Sequence, residues 1–340
     1  MRQLPYLLAL AAACVAPFHF YPVFLTQVLC YALFASAFNL LFGFAGILSF
    51  GHAAFFGCGA YVAALLMKSP LAAPLVAIAA AGIGAGLLGV AVGGLAIRRH
   101  GVYLAMITLA LAEVVYFIAL QAPFTGGEDG LQGVPSGWLF GVVDLGDPVA
   151  MYFFALAVYL AGMAAIRRVV HSPFGQVLRA IRDNEARAVS LGYEVRHSKL
   201  LAFVLSGALS GVAGAVKTLA FHFAALSDVY WHTSGEVILM TLLGGAGTLA
   251  GPTVGALLVV TLSDSLAWLG EWVKFILGAV FVACVLLFRR GIVGELRPLL
   301  AAARRGGGLR LRLGPRAKAP EPASPAPQDR RAKSRPEALR

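Results

Sequence analysis

Long apolar runs, separated by short polar or glycine-containing stretches, fill the first 288 residues of the chain. They lie at residues 4–20, 23–42, 47–67, 71–97, 102–120, 149–166, 200–221, 237–266 and 273–288. Continuous runs of this length are typical of helices that cross a membrane, whereas the strands of a membrane β-barrel alternate apolar and polar residues. The pattern therefore predicts an all-α integral membrane protein.

Composition supports this class. Hydrophobic residues make up 59% of the 340 residues and charged residues only 13%, about half the share found in soluble domains. This much apolar surface cannot be hidden inside one water-soluble core, and a disordered chain would be far more polar. A soluble globular protein and a fully disordered chain are both excluded.

Most of the net charge of +11 lies at the end of the chain. From Arg289 onwards there are fourteen Lys and Arg residues against four acids, within a sequence rich in Pro, Ala and Gly. We expect residues 1–290 to form the membrane domain and residues 291–340 a disordered, basic cytoplasmic tail that can touch anionic lipid. An arm that binds nucleic acid is the alternative, but no nucleic-acid partner is expected.

The distribution of charge in the loops predicts the orientation. Residues 121–148 carry four acids and no Lys or Arg, so they face outwards, while residues 167–199 carry seven basic residues and face the cytoplasm. Three simple crossings after Lys199 would leave the basic tail outside, so the run at 237–266 must make two passes or a re-entrant turn. We predict about ten membrane segments with both termini cytoplasmic. Lys217 and His222 are expected to reach the outer interface.

Glycine interrupts two apolar runs, one in each half of the chain, at residues 43–51 and 244–252. In transporters, paired interruptions of this kind indicate the substrate path, although glycines also allow helices to pack closely. His52 and Glu113 are polar residues inside apolar runs and are further candidates for the path. The alternative for each is a hydrogen bond to a neighbouring helix. The candidate path residues are Gly46, Ser49, Gly51, His52, Gly59, Glu113, Gly244, Gly245, Gly247 and Gly251.

Signatures of catalysis are absent from the sequence. It contains no HExxH, no nucleophile elbow and no GxxxxGK[ST] phosphate loop, and its four cysteines lack CxxC spacing. No catalytic residue, bound cofactor or metal site is predicted. If ATP drives this protein, another subunit binds it.

One polar segment, residues 170–198, divides the apolar runs. Residues 176–191 are expected to form one amphipathic helix with Val177, Ile181, Ala188 and Leu191 near one face, ended by Gly192. A short amphipathic helix between two membrane helices suits docking onto a partner protein, and a solvated loop on the lipid surface is the alternative. We call residues 170–198 the coupling segment.

Six stretches of the chain together resemble the LivM-type permease subunit of branched-chain amino acid ABC importers. They are GFAGILSFGHAAFFGCGAY (43–61), GVYLAMITLALAE (101–113), TGGEDGLQGVP (125–135), SPFGQVLRAIRDNEARAVSLG (172–192), KLLAFVLSGALSGVAGA (199–215) and GGAGTLAGPTVGA (244–256). The resemblance implies a passive channel subunit of the bacterial inner membrane, not an enzyme, for ATP-driven import of Leu, Ile and Val. Its implied partners are a homologous second permease, two cytoplasmic ATPase subunits and an extracytoplasmic binding protein.

The same resemblance covers the loop through which such permeases dock onto their ATPases. The implied ATPase-coupling residues are Ala180, Ile181, Arg182, Asp183, Asn184, Glu185, Ala186, Leu191 and Gly192. The spacing from Glu185 to Gly192 is one residue longer than the usual pattern, so the docking role is carried over but individual contacts are not.

Two other functions stay open at this point. The same ABC architecture also carries urea, short amides or aromatic acids in related permeases. A secondary transporter or channel that works alone is a different class, and it would need a coupling ion or proton at Glu113 or His52. A membrane-bound enzyme has no supporting set of residues.

Overall fold

The computed structural model describes residues 13–69, 73–139, 141, 143–270, 272–287 and 291–295, and it is mostly helical. Its α-helices are α1 (Pro22–Asn39), α2 (His52–Met67), α3 (Pro74–Ala96), α4 (Val102–Gln121), α5 (Pro148–His171), α6 (Pro173–Asp183), α7 (Glu185–Ser190), α8 (Val195–Phe221), α9 (Trp231–Gly244), α10 (Gly251–Ser265) and α11 (Trp272–Leu287). The strands are β1 (Leu131–Gln132), β2 (Trp138–Leu139), β3 (Val143–Asp144) and β4 (Phe223–Ala224), in the antiparallel pairs β1–β4 and β2–β3.

Five helices are long and apolar enough to cross a membrane alone: α1 with the π-turn that follows it (Pro22–Phe44), α3, α4, α5 and α8. They coincide with predicted apolar runs, although α5 and α8 extend further into the polar segment between them. Helices α2, α9, α10 and α11 have 14 to 16 residues each and are shorter than one full span. The figure of about ten membrane segments stays a prediction.

Helix α8 lies at the centre of the bundle, where α1, α2 and α3 pack around it. Phe203 of α8 is fully buried against α3. Gly59 of α2 faces Gly211 of α8 so closely that a Cβ on Gly59 would collide with the Gly211 backbone. Small residues therefore set the spacing of the central helices, as is usual in membrane bundles.

The run at 237–266 is broken, as predicted from the charge distribution. The break reverses the chain, so α9 and α10 pack side by side as a hairpin, with Gly245 at φ 115° and Gly247 at φ 77°. Each helix is about 21–23 Å long at 1.5 Å per residue. Gly291, which follows α11, lies against Gly245, so the chain returns after α11 to the end of the bundle where the hairpin turns.

Lys217 does not reach the membrane interface, contrary to expectation. It is buried and forms an ion pair with Asp228, which is also buried and accepts a hydrogen bond from Ala225 N–H at 3.4 Å. His222 ends α8 at φ 62°, with its ring Nδ1 3.2 Å from both Ser136 Oγ and a backbone carbonyl. Both residues hold the loops at this end of the bundle together.

The coupling segment contains two helices, not the single helix expected. Asn184 separates α6 from α7, and its side-chain oxygen accepts a hydrogen bond from Arg187 N–H at 3.0 Å, so it caps α7. Leu191 is 68% exposed and does not join the buried apolar face of Val177, Ile181 and Ala188.

The predicted stop of this helical region is confirmed, because Gly192 has φ 84° and ends α7. The expected tail lies outside the described residues except for residues 291–295, which are helical.

Candidate functional site

The first glycine break leaves a stretch of non-helical backbone inside the bundle. After α1 the chain makes a π-turn (Leu40–Phe44), and α2 begins only at His52. Ile47, Ser49 and Gly51 in this stretch are buried. Backbone at membrane depth that is not helical must find other hydrogen-bond partners, because lipid offers none.

Hydroxyl groups supply those partners. Thr108 Oγ1 on α4 accepts from Phe50 N–H at 3.1 Å, and Ser49 Oγ accepts from Gly51 N–H at 3.2 Å. Ser234 Oγ on α9 accepts from the N–H of Ala53, in the first turn of α2, at 2.8 Å. These bonds satisfy the amides of Phe50, Gly51 and Ala53, and they connect α4 and α9 to the backbone around the start of α2.

The second break meets the first through Asn39, near the end of α1. The Asn39 side-chain amide donates to Thr248 O at 2.8 Å, and its oxygen accepts from Gly247 N–H, also at 2.8 Å. It thus pairs with the second break as a neighbouring peptide group would. A Cβ on Gly43 would lie 2.5 Å from Gly247 N, so close approach of the two breaks requires glycine there.

Arg182 of the coupling segment joins both breaks. Its Nη1 donates to Gly43 O in the first break, and its stem lies against Gly46, where a Cβ would come within 2.9 Å of Arg182 Cγ. The same nitrogen would lie 2.9 Å from a Cβ on Gly247 in the second break. We call Asn39, Arg182, residues 43–46 and residues 247–248 the clamp.

Two cavities flank Arg182, and both open beside the coupling segment. The first, of about 530 Å³, lies between the first break, the turn from α3 to α4 and the coupling segment; Gly46, Phe50, His100, Arg182, Glu185 and Lys199 are among its lining residues. The second, of about 400 Å³, lies between the ends of α5 and α6 and the second break. It is lined by Phe44, Arg167, Val170, His171, Arg179, Arg182, Gly247, Thr248 and Leu249.

Glu185 also faces the bundle. Its carboxylate pairs with the buried Lys199 Nζ at 2.6 Å and lies 3.3 Å from His100 Nδ1. This pairing fixes α7 to the start of α8 and to the turn after α3. Of the predicted coupling residues, Ile181 is buried and Ala180 is half-buried, whereas Asp183, Asn184, Ala186, Leu191 and Gly192 are exposed.

The structure places His52 in the core. It is fully buried; its Nε2 lies 2.8 Å from Ser206 Oγ, and that hydroxyl donates to Ala37 O at 2.6 Å. The His52 ring also packs edge-on against Phe38 and Phe55. His52 thus links α2, α8 and α1, the packing role that was the alternative to a place on the path.

Several of the predicted path glycines lie at close contacts between backbones. Gly59 faces α8, and a Cβ on Gly51 would lie 2.6 Å from Thr108 O. Gly244 and Gly251 meet across the turn of the α9–α10 hairpin, with Gly245 between them. Ser49 is buried, and its hydroxyl accepts the hydrogen bond from Gly51 N–H. Gly46 and Gly247 differ, because they line the two cavities beside Arg182.

Glu113 is separate from the clamp. It is half-buried on α4, and its Oε1 is enclosed without a hydrogen-bond partner among the described residues. Tyr116, one turn further along α4, packs against Tyr230 at the start of α9 with ring centroids 5.3 Å apart. This places Glu113 on a helix that borders the start of α9, with an acceptor oxygen left open.

The residues that sequence reasoning missed share a recognisable signal. Asn39, Thr108 and Ser206 are small polar residues within apolar runs, Ser234 lies just before one, and each bonds to a backbone or side-chain group of another segment of the bundle. Such residues are costly at membrane depth unless paired, so the need for a partner could have been predicted for each, but not the partner itself.

Comparisons with known proteins find similarity to permease proteins of several import systems. A family model described as branched-chain amino acid transport system / permease component matches residues 22–285. The high-affinity branched-chain amino acid transport system permease protein LivM of Escherichia coli (strain K12) is 27% identical over 298 residues, which cover 81% of this chain and 70% of the relative. A probable LivM protein of Methanocaldococcus jannaschii is 27% identical over 296 residues, covering 74% and 82%.

A second kind of relative is also similar. The permease protein LivH of Salmonella typhimurium is 24% identical over 283 residues, which cover 78% of this chain and 91% of the relative. No solved structure matches. The family match spans the glycine breaks, the coupling segment and α1 to α11 almost completely. The chain belongs to the family of permease components of branched-chain amino acid transport systems.

Proposed function

We propose that this chain is a membrane subunit of an ATP-driven importer for Leu, Ile and Val, and that the clamp transmits movement from the ATPases to the two broken helices. The clamp is the observation that carries the proposal. One arginine on the coupling segment bonds to the first break and touches the second, and Asn39 ties the two breaks together. A secondary transporter that works alone has no need of such a link.

The coupling step follows from this connection. When the ATPases close on ATP, they push or release α6 and α7. Because α6 carries Arg182, a shift of α6 acts directly on Gly43 and Gly247, and the glycine-rich backbone there yields before the helices do. Glu185, paired with Lys199, moves α8 in the same step, so the centre of the bundle follows.

The surface that meets the ATPase lies at the end of α7. Val189, Leu191 and Tyr193 are 58%, 68% and 45% exposed around Gly192, on a segment rich in charged residues. Large apolar side chains grouped on a polar segment mark a protein interface. This surface also explains why Leu191 does not fold back onto the coupling segment.

The remaining partners are proposed from what the family resemblance implies. The similarity to LivH, a permease protein of the same kind of transport system, supports a homologous second permease beside this chain. Two cytoplasmic ATPases supply ATP hydrolysis, and a binding protein docks on the opposite face, where the four acids of residues 121–148 lie. The basic charge of the coupling segment and the tail supports a location in the bacterial inner membrane with both termini in the cytoplasm.

Glu113 is the side chain that we assign to the cargo. An amino acid carries an ammonium group, and the buried Oε1 of Glu113, which has no hydrogen-bond partner among the described residues, is a carboxylate acceptor on a helix facing α9. Glu113→Gln is therefore expected to raise KM for leucine severalfold with little change in ATP hydrolysis. An unchanged KM would remove Glu113 from the path.

The proposal is tested by uptake of labelled leucine into proteoliposomes that contain this chain with its encoded partner subunits. ATP inside and binding protein outside are each omitted in turn. Uptake that requires both supports the importer, and competition by isoleucine and valine but not urea fixes the cargo class. Uptake without ATP would contradict the proposal and favour a secondary transporter.

A further inference from the structure

The second cavity beside Arg182 is lined by basic side chains. Arg167, His171, Arg179 and Arg182 face a space of about 400 Å³, and none of the described residues that line it carries a carboxylate. Within the described part of the chain, no acid lies at ion-pair distance from Arg179 or Arg182. Because no described acid neutralises Arg179 or Arg182, an anion in that cavity would be stabilised.

The described residues use only some of the hydrogen-bond donors of Arg179 and His171. Arg179 Nη2 donates to Val170 O at 2.8 Å, and its guanidinium lies 5.9 Å from the Phe44 ring, so the side chain is held in place. A guanidinium has five N–H donors, which leaves most of those on Arg179 for a ligand. His171 Nδ1 is 2.8 Å from Arg167 O, and no described residue pairs with its other ring nitrogen. This planar, multidentate donor set suits phosphate oxygens.

The level of the cavity indicates where such a phosphate comes from. Helix α5 has 24 residues and is about 36 Å long, which exceeds a hydrocarbon core of about 30 Å. Its last turn, with Arg167 and His171, therefore lies among the lipid headgroups. Leu160, seven residues earlier on the same face of α5, is 42% exposed about 10 Å deeper, where acyl chains begin.

We propose that this cavity binds the phosphate headgroup of an anionic phospholipid such as phosphatidylglycerol or cardiolipin. The apolar floor of Phe44, Val170 and Leu249 accommodates the glycerol end, and the volume, about that of a dozen waters, holds one headgroup. Because Arg182 is shared with the clamp, a bound headgroup also orders the residue that joins the two breaks. The proposal does not depend on the proposed ATP-driven mechanism.

The test is native mass spectrometry of the purified full chain titrated with phosphatidylglycerol, phosphatidylcholine or glycerol 3-phosphate. We expect phosphatidylglycerol to bind more tightly than phosphatidylcholine, and Arg179→Gln to weaken that binding about fivefold, the effect of one basic residue at a membrane surface. Arg168→Gln is the matched control: it removes an exposed arginine from the same turn of α5 that does not line the cavity, and it should leave binding within twofold.

Other outcomes are equally definite. Equal binding of glycerol 3-phosphate and phosphatidylglycerol would place a free phosphate in the cavity and overturn the lipid assignment, as would equal effects of Arg168→Gln and Arg179→Gln. Loss of bound lipid when the ATPase subunits are added would assign the basic cavity to that interface and overturn the proposal. Thermal unfolding of Arg179→Gln without added lipid checks folding, and Arg167→Gln, expected to weaken lipid binding similarly, gives an independent second variant.

Discussion

Removing the Asn39 side chain tests the link between the two breaks. Asn39→Ala deletes both hydrogen bonds to the second break and leaves Gly247 N–H and Thr248 O without their partner. Interhelical hydrogen bonds in membrane proteins contribute about 0.6 kcal/mol on average and up to about 1.7. Water reaches the half-buried Gly247 and Thr248 in part, so we expect the two bonds together to contribute about 2 kcal/mol.

This loss corresponds to roughly a 30-fold change in the folded-to-unfolded ratio. It is measured by denaturant unfolding of the detergent-solubilised protein. Ser36→Ala is the matched control, because Ser36 lies almost one turn earlier on α1, is buried, and its hydroxyl has no partner among the described residues. Its removal is expected to change the free energy of unfolding by less than about 0.5 kcal/mol.

A third variant separates shape from hydrogen bonding. Asn39→Asp keeps the acceptor for Gly247 N–H but places an oxygen against Thr248 O, where a donor is needed. We expect it to be at least as destabilising as Asn39→Ala, because the size is kept and the pairing is lost. If Asn39→Ala matches Ser36→Ala, the clamp does not hold the breaks together.

Two further predictions concern packing and charge. Lys217→Met leaves the buried Asp228 carboxylate without its partner and should lower the free energy of unfolding by about 3–5 kcal/mol. Adding Asp228→Leu should recover most of that loss. Additive losses in a double-mutant unfolding cycle would contradict the buried pair. Gly59→Ala drives a methyl group into the Gly211 backbone and should lower the thermal midpoint. Gly94→Ala meets no atom within 4 Å and should instead raise stability by about 0.5–1 kcal/mol; equal effects of the two would refute the packing argument.

The positions of the long helices could be predicted from the sequence because their apolar runs are continuous and end at charged residues or glycines. Even the break in the run at 237–266 followed from requiring the basic tail to share a side with the coupling segment. The residue at which α2 begins could not be predicted from the sequence. Residues 47–51 contain three large apolar residues, yet Thr108 and Ser49 hold the amides of Phe50 and Gly51 in a non-helical path.

The coupling segment shows where periodicity fails. Its apolar residues continue with helical spacing through residues 176–191, but Asn184 caps a new helix instead of continuing the first. An Asn side chain competes with the helix for the backbone N–H of Arg187, and periodicity does not register that competition. Leu191 fitted the pattern and yet is exposed.

The clamp could be predicted only in parts. Both glycine breaks and Arg182 were predicted as candidates. Their contacts were not predicted, because residues that meet, such as Asn39 and Gly247, are about two hundred positions apart in the sequence. One sequence contains no information on such pairings beyond the presence of an unpaired amide in an apolar run. The direction of Arg182, towards Gly43, likewise depends on how α6 packs beneath α1.

The most direct measurement of the central claim is the number of leucine molecules imported per ATP hydrolysed by proteoliposomes that contain Arg182→Gln. Arg196→Gln, an exposed arginine at the start of α8, is the control. Loss of a hydrogen bond from a charged donor changes the equilibrium that depends on it about tenfold. We predict that Arg182→Gln keeps ATP hydrolysis within about twofold but lowers the import ratio about tenfold, while Arg196→Gln leaves the ratio unchanged. An unchanged ratio in Arg182→Gln would contradict the claim that this residue transmits movement to the breaks.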